Sequence, residues 1–387
     1  MLRGLDRRRL LFAMAMGALV PLAVLMVVSA IRTAILAPYR SDFAVYYGMS
    51  TIGLQSGFSH LYDDFLRQRV WDALGIALGG PLHPYPIIQL PTLAVAIAPL
   101  ALMPFMVAYA IWLSLLGTAI LIGWWMGAPG GRWGRGGHLV ALLALLPVGL
   151  GLYVGQVEFV VFASVLAAWW LLRRGHDVAA GLVLLLIVLK PQEAILLPFA
   201  LLLAGRRRTF AVWAAGAALI ASALLAVIGV SSLAVYLDRL GEVARHPGIW
   251  ESVPGMSLPS LLGGGLLGSF SQLLVAAFAL LAAWRRRGEG IELPMAIAIV
   301  GSMVMTPYLH EPDTVMLVAA GWLYLRTQPS PWAMAYLVAG YIAIDLGQAP
   351  RVGWTPLLGL EIAWLLSMGL SPRASRPAVS APARATV

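Results

Sequence analysis

Apolar residues run along this chain in blocks, at about 10–31, 86–102, 105–126, 138–153, 159–172, 178–189, 194–204, 209–229, 259–284, 291–305, 314–326, 332–346 and 355–370, with polar residues at the joints. Blocks of this kind predict helices that cross a hydrocarbon core of ~30 Å, although several fall short of the ~20 residues a straight crossing needs. The predicted fold is therefore all-α and polytopic. If every block crossed and the N-terminus were cytoplasmic, the arginines at 173, 206 and 285 would lie outside, against the positive-inside rule. One crossing must be missing or merged before residue 173. The proline- and glycine-broken stretch 81–158 is the place for it, as a re-entrant or half-depth segment. The expected architecture is a single integral-membrane domain over 1–370 with about 12 transmembrane helices and both termini cytoplasmic. A Ser-, Pro-, Ala- and Arg-rich tail at 371–387 is expected to be disordered.

Composition supports this reading and removes others. The 387 residues are 60% hydrophobic and only 11% charged, with a mean hydropathy of +0.86. A soluble chain carries roughly 25% charged residues, so soluble-enzyme, secreted-module and DNA-binding readings drop out. The net charge of +9 comes from arginines that punctuate the apolar blocks: Arg7 to Arg9, Arg132, Arg135, Arg173, Arg174, Arg206 to Arg208, Arg285 to Arg287, Arg373 and Arg376. They read as cytoplasmic topology signals rather than a nucleic-acid face. No cysteine is present, which excludes disulfides, thiolate metal sites and a cysteine nucleophile. Arg7 to Arg9 before an apolar run resembles a signal peptide, with Val28-Ser29-Ala30 as a loose cleavage site. The run exceeds a ~7–15 residue h-region, so an uncleaved first span is preferred.

On this topology one compartment receives 32–85, the turn 155–158, the Lys190 turn, 230–258, 306–313 and 345–354. The first loop is long and acidic, holding Asp42, Asp63, Asp64, Asp72, His60 and His83. Loops of this length are uncommon unless functional or disordered. Ser41-Asp42 before Phe43 to Tyr47 is an N-cap signal, and Leu61, Phe65, Val70, Leu74 and Leu78 leave an apolar face on a second segment. Two short helices on the membrane surface are expected here.

Asp42 is the leading carboxylate. It follows the first crossing beside Tyr46 and Tyr47, where apolar surroundings would tune it as a base. Its plain alternative is a helix cap. Lys190, the sole lysine, stands away from every arginine cluster, in Val-Leu-Lys190-Pro191-Gln192-Glu193. Glu158, Glu193, His310, Glu311 and Asp313 also lie at span ends on the same predicted side. Ionisable groups there are functional candidates, but charge pairing of Lys190 with Glu193 or Glu158, and a satisfied rim histidine, explain them as well. His310-Glu311 with Asp313 matches no zinc or calcium loop, and Gly263 to Gly265 is no phosphate loop, so no metal is expected. Trp124, Trp125, Trp169 and Trp170 read as interfacial anchors.

The order of these pieces resembles glycosyltransferase family 87, polyprenyl-phosphate-dependent mannosyltransferases and relatives with the GT-C fold. Its carriers are Ser41-Asp42-Phe43-Ala44-Val45-Tyr46-Tyr47, Leu61-Tyr62-Asp63, Pro84-Tyr85-Pro86, Pro99, Pro104, Ile111-Trp112, Gly155-Gln156, Ala180-Gly181, Lys190-Pro191, Ser257-Leu258 and Thr306-Pro307. Family members usually have two prolines after the Tyr85 region, an Asn near Glu158, and a Trp with paired histidines after Thr306-Pro307. Here those stretches read Pro86-Ile87, Gly155-Gln156-Val157-Glu158 and Tyr308-Leu309-His310, which leaves donor and acceptor identity open. The resemblance implies transfer of a hexose, with inversion, from a polyprenyl-phosphate donor to a lipid or glycan hydroxyl on the outer side of a bacterial inner membrane. It implies Asp42 as general base, Lys190 and His310 on the donor phosphate, and Tyr46, Tyr47, Tyr85, Gln156 and Glu158 around the substrate, with no cofactor. A transporter or lipid flippase is the alternative, but no repeated halves or paired broken helices favour it. A non-catalytic assembly subunit is a third reading.

Overall fold

The computed structural model describes residues 7–75, 79–80, 83–84, 89–245, 255–349 and 351–371. Apart from a two-residue antiparallel bridge, Gly79–Gly80 with His83–Pro84, they are helical or in turns. The helices are α1 (Arg7–Leu36), α2 (Asp42–Ser56), α3 (Asp64–Leu74), α4 (Pro91–Ala101), α5 (Phe105–Gly127), α6 (Arg132–Ala144), α7 (Leu146–Val154), α8 (Glu158–Leu172) and α9 (Asp177–Leu184). They continue as α10 (Leu197–Leu203), α11 (Arg207–Arg245), α12 (Leu258–Leu261), α13 (Gly265–Arg285), α14 (Glu292–Met305), α15 (Val315–Leu325), α16 (Pro331–Leu346) and α17 (Thr355–Leu370).

The centre is formed by α8, α14 and α15. In α14 every residue from Glu292 to Val304 is buried, and α8 buries nearly its whole circumference. Around them α1, α11 and α13 leave leucines and valines exposed, the outward pattern of a protein solvated by lipid. α5 packs against α8 at close range because it presents glycine one turn apart. A Cβ at Gly123 would come within 2.5 Å of the Phe162 ring, and one at Gly127 within 2.7 Å of Leu166. Small residues at this spacing let membrane helices approach.

Four described helices are long and apolar enough to cross a membrane, within α1, α5, α11 and α13. A fifth crossing arises if α6 and α7, bent by 65°, count as one. That bend falls inside 81–158, the stretch read from sequence as holding a half-depth segment. Pro147 stands in the first turn of α7, and the Leu146 N–H at the bend donates to Asp345 Oδ1 at 2.9 Å. The remaining apolar helices are shorter. An expectation of about twelve full crossings is therefore not met by helix length alone. The reason is physical: central helices surrounded by protein can stop short, because neighbouring chain satisfies their end groups.

Two helices do occupy the first loop, but α2 is no surface helix. Phe43 to Ser50 are all buried, and the aromatic face of α2 packs on α5 through Phe43, Phe105, Tyr109 and Trp112. α3 keeps an exposed face, with Phe65 at 75% exposure. Val28 to Ala30 lie within the continuous helix α1. The tail lies outside the described residues beyond Ser371.

Candidate active site

A cavity of about 540 Å³ opens where the starts of α2, α8 and the Lys190 turn meet the Thr306 to His310 segment. Its wall includes Asp42, Tyr46, Gln156, Lys190, Tyr308 and His310, drawn from four separate stretches of sequence.

Asp42 reaches it because a neighbour caps the helix. Ser41 is the N-cap of α2: its hydroxyl accepts from the Ala44 N–H at 3.3 Å and donates to the Pro38 carbonyl at 2.6 Å. Asp42 occupies the first helical position, half-buried, and its carboxylate turns to the cavity. There Gln156 Nε2 donates to Asp42 Oδ2. The Gln156 amide cannot be flipped, since its Oε1 accepts from Lys190 Nζ at 3.0 Å and from the Tyr46 hydroxyl at 3.3 Å. An ammonium only donates and a carboxylate only accepts.

Gln156 is held in place by the turn that carries it. Gly155 ends α7 with φ 72°, a left-handed conformation that glycine adopts freely. A Cβ there would also approach Phe43 and Trp112 to 3.0 and 3.2 Å. The Trp112 indole N–H donates to the Gly155 carbonyl at 2.7 Å, which fixes the turn to α5.

Lys190 sits between the short 3₁₀ segments Leu185–Leu189 and Pro191–Glu193, at 7% exposure. Its ammonium pairs with Asp313 Oδ1, Glu193 Oε1 at 3.3 Å and Glu158 Oε2 at 3.7 Å. Burial works to lower its proton affinity, but Asp313, Glu193 and Glu158 outweigh it and hold the ammonium charged. Glu158, Glu193 and Asp313 bring carboxylate oxygens within 4.8 Å of one another. The Lys190 ammonium is the cation they surround. Sequence reasoning paired Lys190 with Glu193 or Glu158; the hydrogen-bonded carboxylate is Asp313, and the donors of Lys190 are spent on Asp313 and Gln156 rather than turned to open solvent.

His310 stands at the rim as the N-cap of the 3₁₀ turn Glu311–Thr314, in a reciprocal cap with Asp313, whose Oδ2 accepts the His310 N–H at 2.9 Å. Its ring meets the Tyr308 hydroxyl at Nε2. Burial pushes the imidazole down to about 4, with Asp313 acting upward and Lys190 downward. His310 is thus neutral at pH 7 and offers one N–H, not a charge.

Of the other expected site residues, Glu158 stands behind Lys190, fully buried and outside the cavity lining. Tyr47 faces away: its hydroxyl donates to the Met103 carbonyl at 2.7 Å and its ring meets Phe105 edge-on. Tyr85 lies outside the described residues. Carboxylates of the first loop have other partners. Asp63 caps α3 through the Phe65 and Leu66 N–H groups. Asp64 pairs with Arg67 and Arg239, and Asp72 accepts from Gln68 at 2.8 Å.

Sequence reasoning missed Gln89, Tyr236 and Gln272, which also line the cavity. Tyr62 ties two of them together, donating to the Gln89 carbonyl at 2.9 Å and stacking on Tyr236 at 5.5 Å. A lone glutamine inside an apolar block, as at Gln272, was the available signal.

A family model, described as glycosyltransferase family 87, matches residues 85–309. No curated protein and no solved structure matches the chain. The matched segment contains Gln156 and Lys190, begins after Asp42 and ends just before His310. The fold brings these outlying residues onto the same cavity as the matched ones.

Proposed function

The chain belongs to glycosyltransferase family 87, and from that premise we propose that it transfers a hexose, mannose being the first candidate, from a polyprenyl-phosphate donor to a lipid or glycan hydroxyl. The observation that carries this reading is the Asp42–Gln156–Lys190 line: a carboxylate on the wall of a sugar-sized cavity, oriented by an amide that a buried ammonium fixes. Ligand pockets span ~300–1,000 Å³, and this cavity lies within that range.

The reaction is a single displacement. The acceptor oxygen attacks the anomeric carbon, Asp42 takes its proton, and the bond from that carbon to the phosphate oxygen breaks with its electron pair on the leaving polyprenyl phosphate. Inversion follows from one displacement at one carbon. It needs one base, and the carboxylates nearest Asp42 are engaged with Lys190. The leaving phosphate needs charge stabilisation more than protonation. With Lys190 committed to Asp313 and Gln156, we assign it first to positioning; direct contact with the phosphate requires it to exchange a partner. The amides of Gln192 and Gln272 are further donors on the cavity wall, and the single N–H of the neutral His310 ring reaches the phosphate once it leaves the Tyr308 hydroxyl. Tyr46 holds Gln156, while Tyr85 and Glu158 stand as candidates for substrate contact and for tuning Lys190. No metal is invoked.

The GT-C arrangement with about twelve crossings, cytoplasmic termini and an outward-facing site in a bacterial inner membrane belongs to the same proposal, supported by the arginine distribution. With the family established, neither the transporter nor the assembly-subunit reading has an observation in its favour. The test is transfer of labelled sugar from polyprenyl-phosphate-mannose in membranes, wild type against Asp42→Asn at matched expression. Product that persists with Asp42→Asn removes the base assignment, and absence of product in wild type with every acceptor redirects the search to another sugar.

A further inference from the structure

The helices that reach the Asp42 cavity have a second end. Phe105, Glu158, Met305 and Val315 mark the near ends of α5, α8, α14 and α15; Gly127, Leu172, Glu292 and Leu325 mark the far ones. Between those far ends lies a cavity of about 780 Å³ whose wall carries Arg135, Arg173, Arg174 and Arg326.

Two acidic residues share that wall. Glu289 is already held by Arg286, which donates to both of its oxygens at 2.9 and 3.1 Å. Glu292 accepts from the Trp169 indole at 3.1 Å and lies 3.5 Å from Arg173. One carboxylate therefore opposes four guanidiniums. The guanidiniums are also oriented. Arg174 lies 3.4 Å above the Trp170 ring, and Arg326 lies 4.2 Å above Trp169. Stacking by the face leaves N–H edges to point elsewhere. Some of those edges cap helix ends: Arg326 donates to the Gly127 and Ala128 carbonyls at 3.0 and 3.1 Å, and Arg174 to the Trp170 carbonyl at 3.2 Å. Arg135 Nε and Arg326 Nε have no partner but are closed off from the cavity; the donors most open to it belong to the exposed Arg173 and Arg174.

A tetrahedral oxyanion with several acceptor oxygens satisfies such donors, and phosphate is the matching group. The surroundings choose among its sources. The cavity sits at the ends of apolar helices, with Trp125 exposed at 54% beside Trp170, the setting of an interfacial aromatic belt. We propose that this cavity binds the phosphate of an anionic phospholipid, its headgroup among Arg135, Arg173 and Arg326 and its acyl chains along the exposed apolar faces of the neighbouring helices. The sequence reading puts Arg135 and Arg173 at the inner leaflet, where anionic lipid attracts basic residues. The proposal does not depend on the sugar-transfer reading.

The test uses the full chain, purified in detergent and exposed to mixed micelles of phosphatidylglycerol and phosphatidylcholine, with retained lipid read by native mass spectrometry. Wild type is expected to keep phosphatidylglycerol in preference to phosphatidylcholine. Arg173→Gln, which alters a side chain 59% exposed and leaves the backbone C-cap of α8 in place, should lower that retention about fivefold, and adding Arg135→Gln should lower it about fivefold again. Arg207→Gln with Arg208→Gln, exposed residues outside the cavity, should leave it unchanged. Equal retention of the two lipids, or retention indifferent to Arg173→Gln, overturns the proposal and leaves the arginines as topology signals. Binding of inorganic phosphate without selectivity for the anionic lipid overturns the choice of a lipid source.

Discussion

The two ends of α5, α8, α14 and α15 are built from opposite chemistry. At one end a single buried ammonium is surrounded by Glu158, Glu193 and Asp313 and linked through Gln156 to Asp42. At the other, four guanidiniums, two of them laid on tryptophan faces, stand against one carboxylate that no other arginine holds. At the Asp42 end directed hydrogen bonds link Asp42, Gln156, Tyr46, Lys190 and Asp313, so each of these positions depends on its neighbours. The arginine end is more open, and its charges are held by stacking and by helix carbonyls. The difference teaches which substitutions should be severe. A change at the Asp42 end disturbs a linked network, whereas a change at the arginine end removes one donor among several.

The largest expected effect follows from Asp42→Asn. Asparagine keeps size and a partner for Gln156 but cannot take a proton, so the transfer rate should fall by roughly 10²–10⁴-fold with the melting temperature unchanged. A comparable loss of folding would mean that Asp42 is structural and would dissolve the contrast with Ser41, which alone caps α2. Next comes Lys190→Met. Removing the one cation from three buried carboxylates should cost about 3–5 kcal/mol of stability. Combining it with Asp313→Asn should restore part of that loss, which a thermal-shift comparison of the single and double variants would detect. Gln156→Leu is milder, because it leaves every charge in place and removes only the amide that Asp42, Lys190 and Tyr46 share. A misplaced base lowers kcat by about 10–100-fold with little change in KM, and a drop confined to KM would instead make Gln156 a substrate contact.

Much of the Asp42 end was legible in the sequence, and the exceptions have causes. Asp42, Gln156, Lys190 and His310 could be singled out because each is a polar residue at a joint between apolar blocks. Their convergence could not, since the Lys190–Asp313 pair spans 123 positions. Tyr47 is a different case. On a helix, residues four apart share a face, so Tyr46 returns above Asp42 while Tyr47 turns away toward Met103. Helical spacing alone separates the two tyrosines. The burial of α2 was hidden because aromatic packing from α5 covers a segment that its loop position marked as exposed. Crossing number was the least legible quantity, because shielded central helices are free of the length rule that lipid imposes.

The smallest effect separates the two ends by pH. His310 is held near 4 in the folded protein against an ordinary 6.5, so between those values the unfolded chain binds a proton that the native state refuses. Stability then rises with pH through that window: it is complete above about 6.5 and is lost as pH falls toward 4, by no more than about 3 kcal/mol. The four guanidiniums of the arginine end contribute nothing to this slope, because they stay charged throughout. From pH 7 to pH 5 the melting temperature of wild type in detergent should therefore fall relative to that of His310→Gln, which lacks this ring. An equal pH dependence in the two proteins would leave His310 a rim residue whose enclosure carries no energetic consequence.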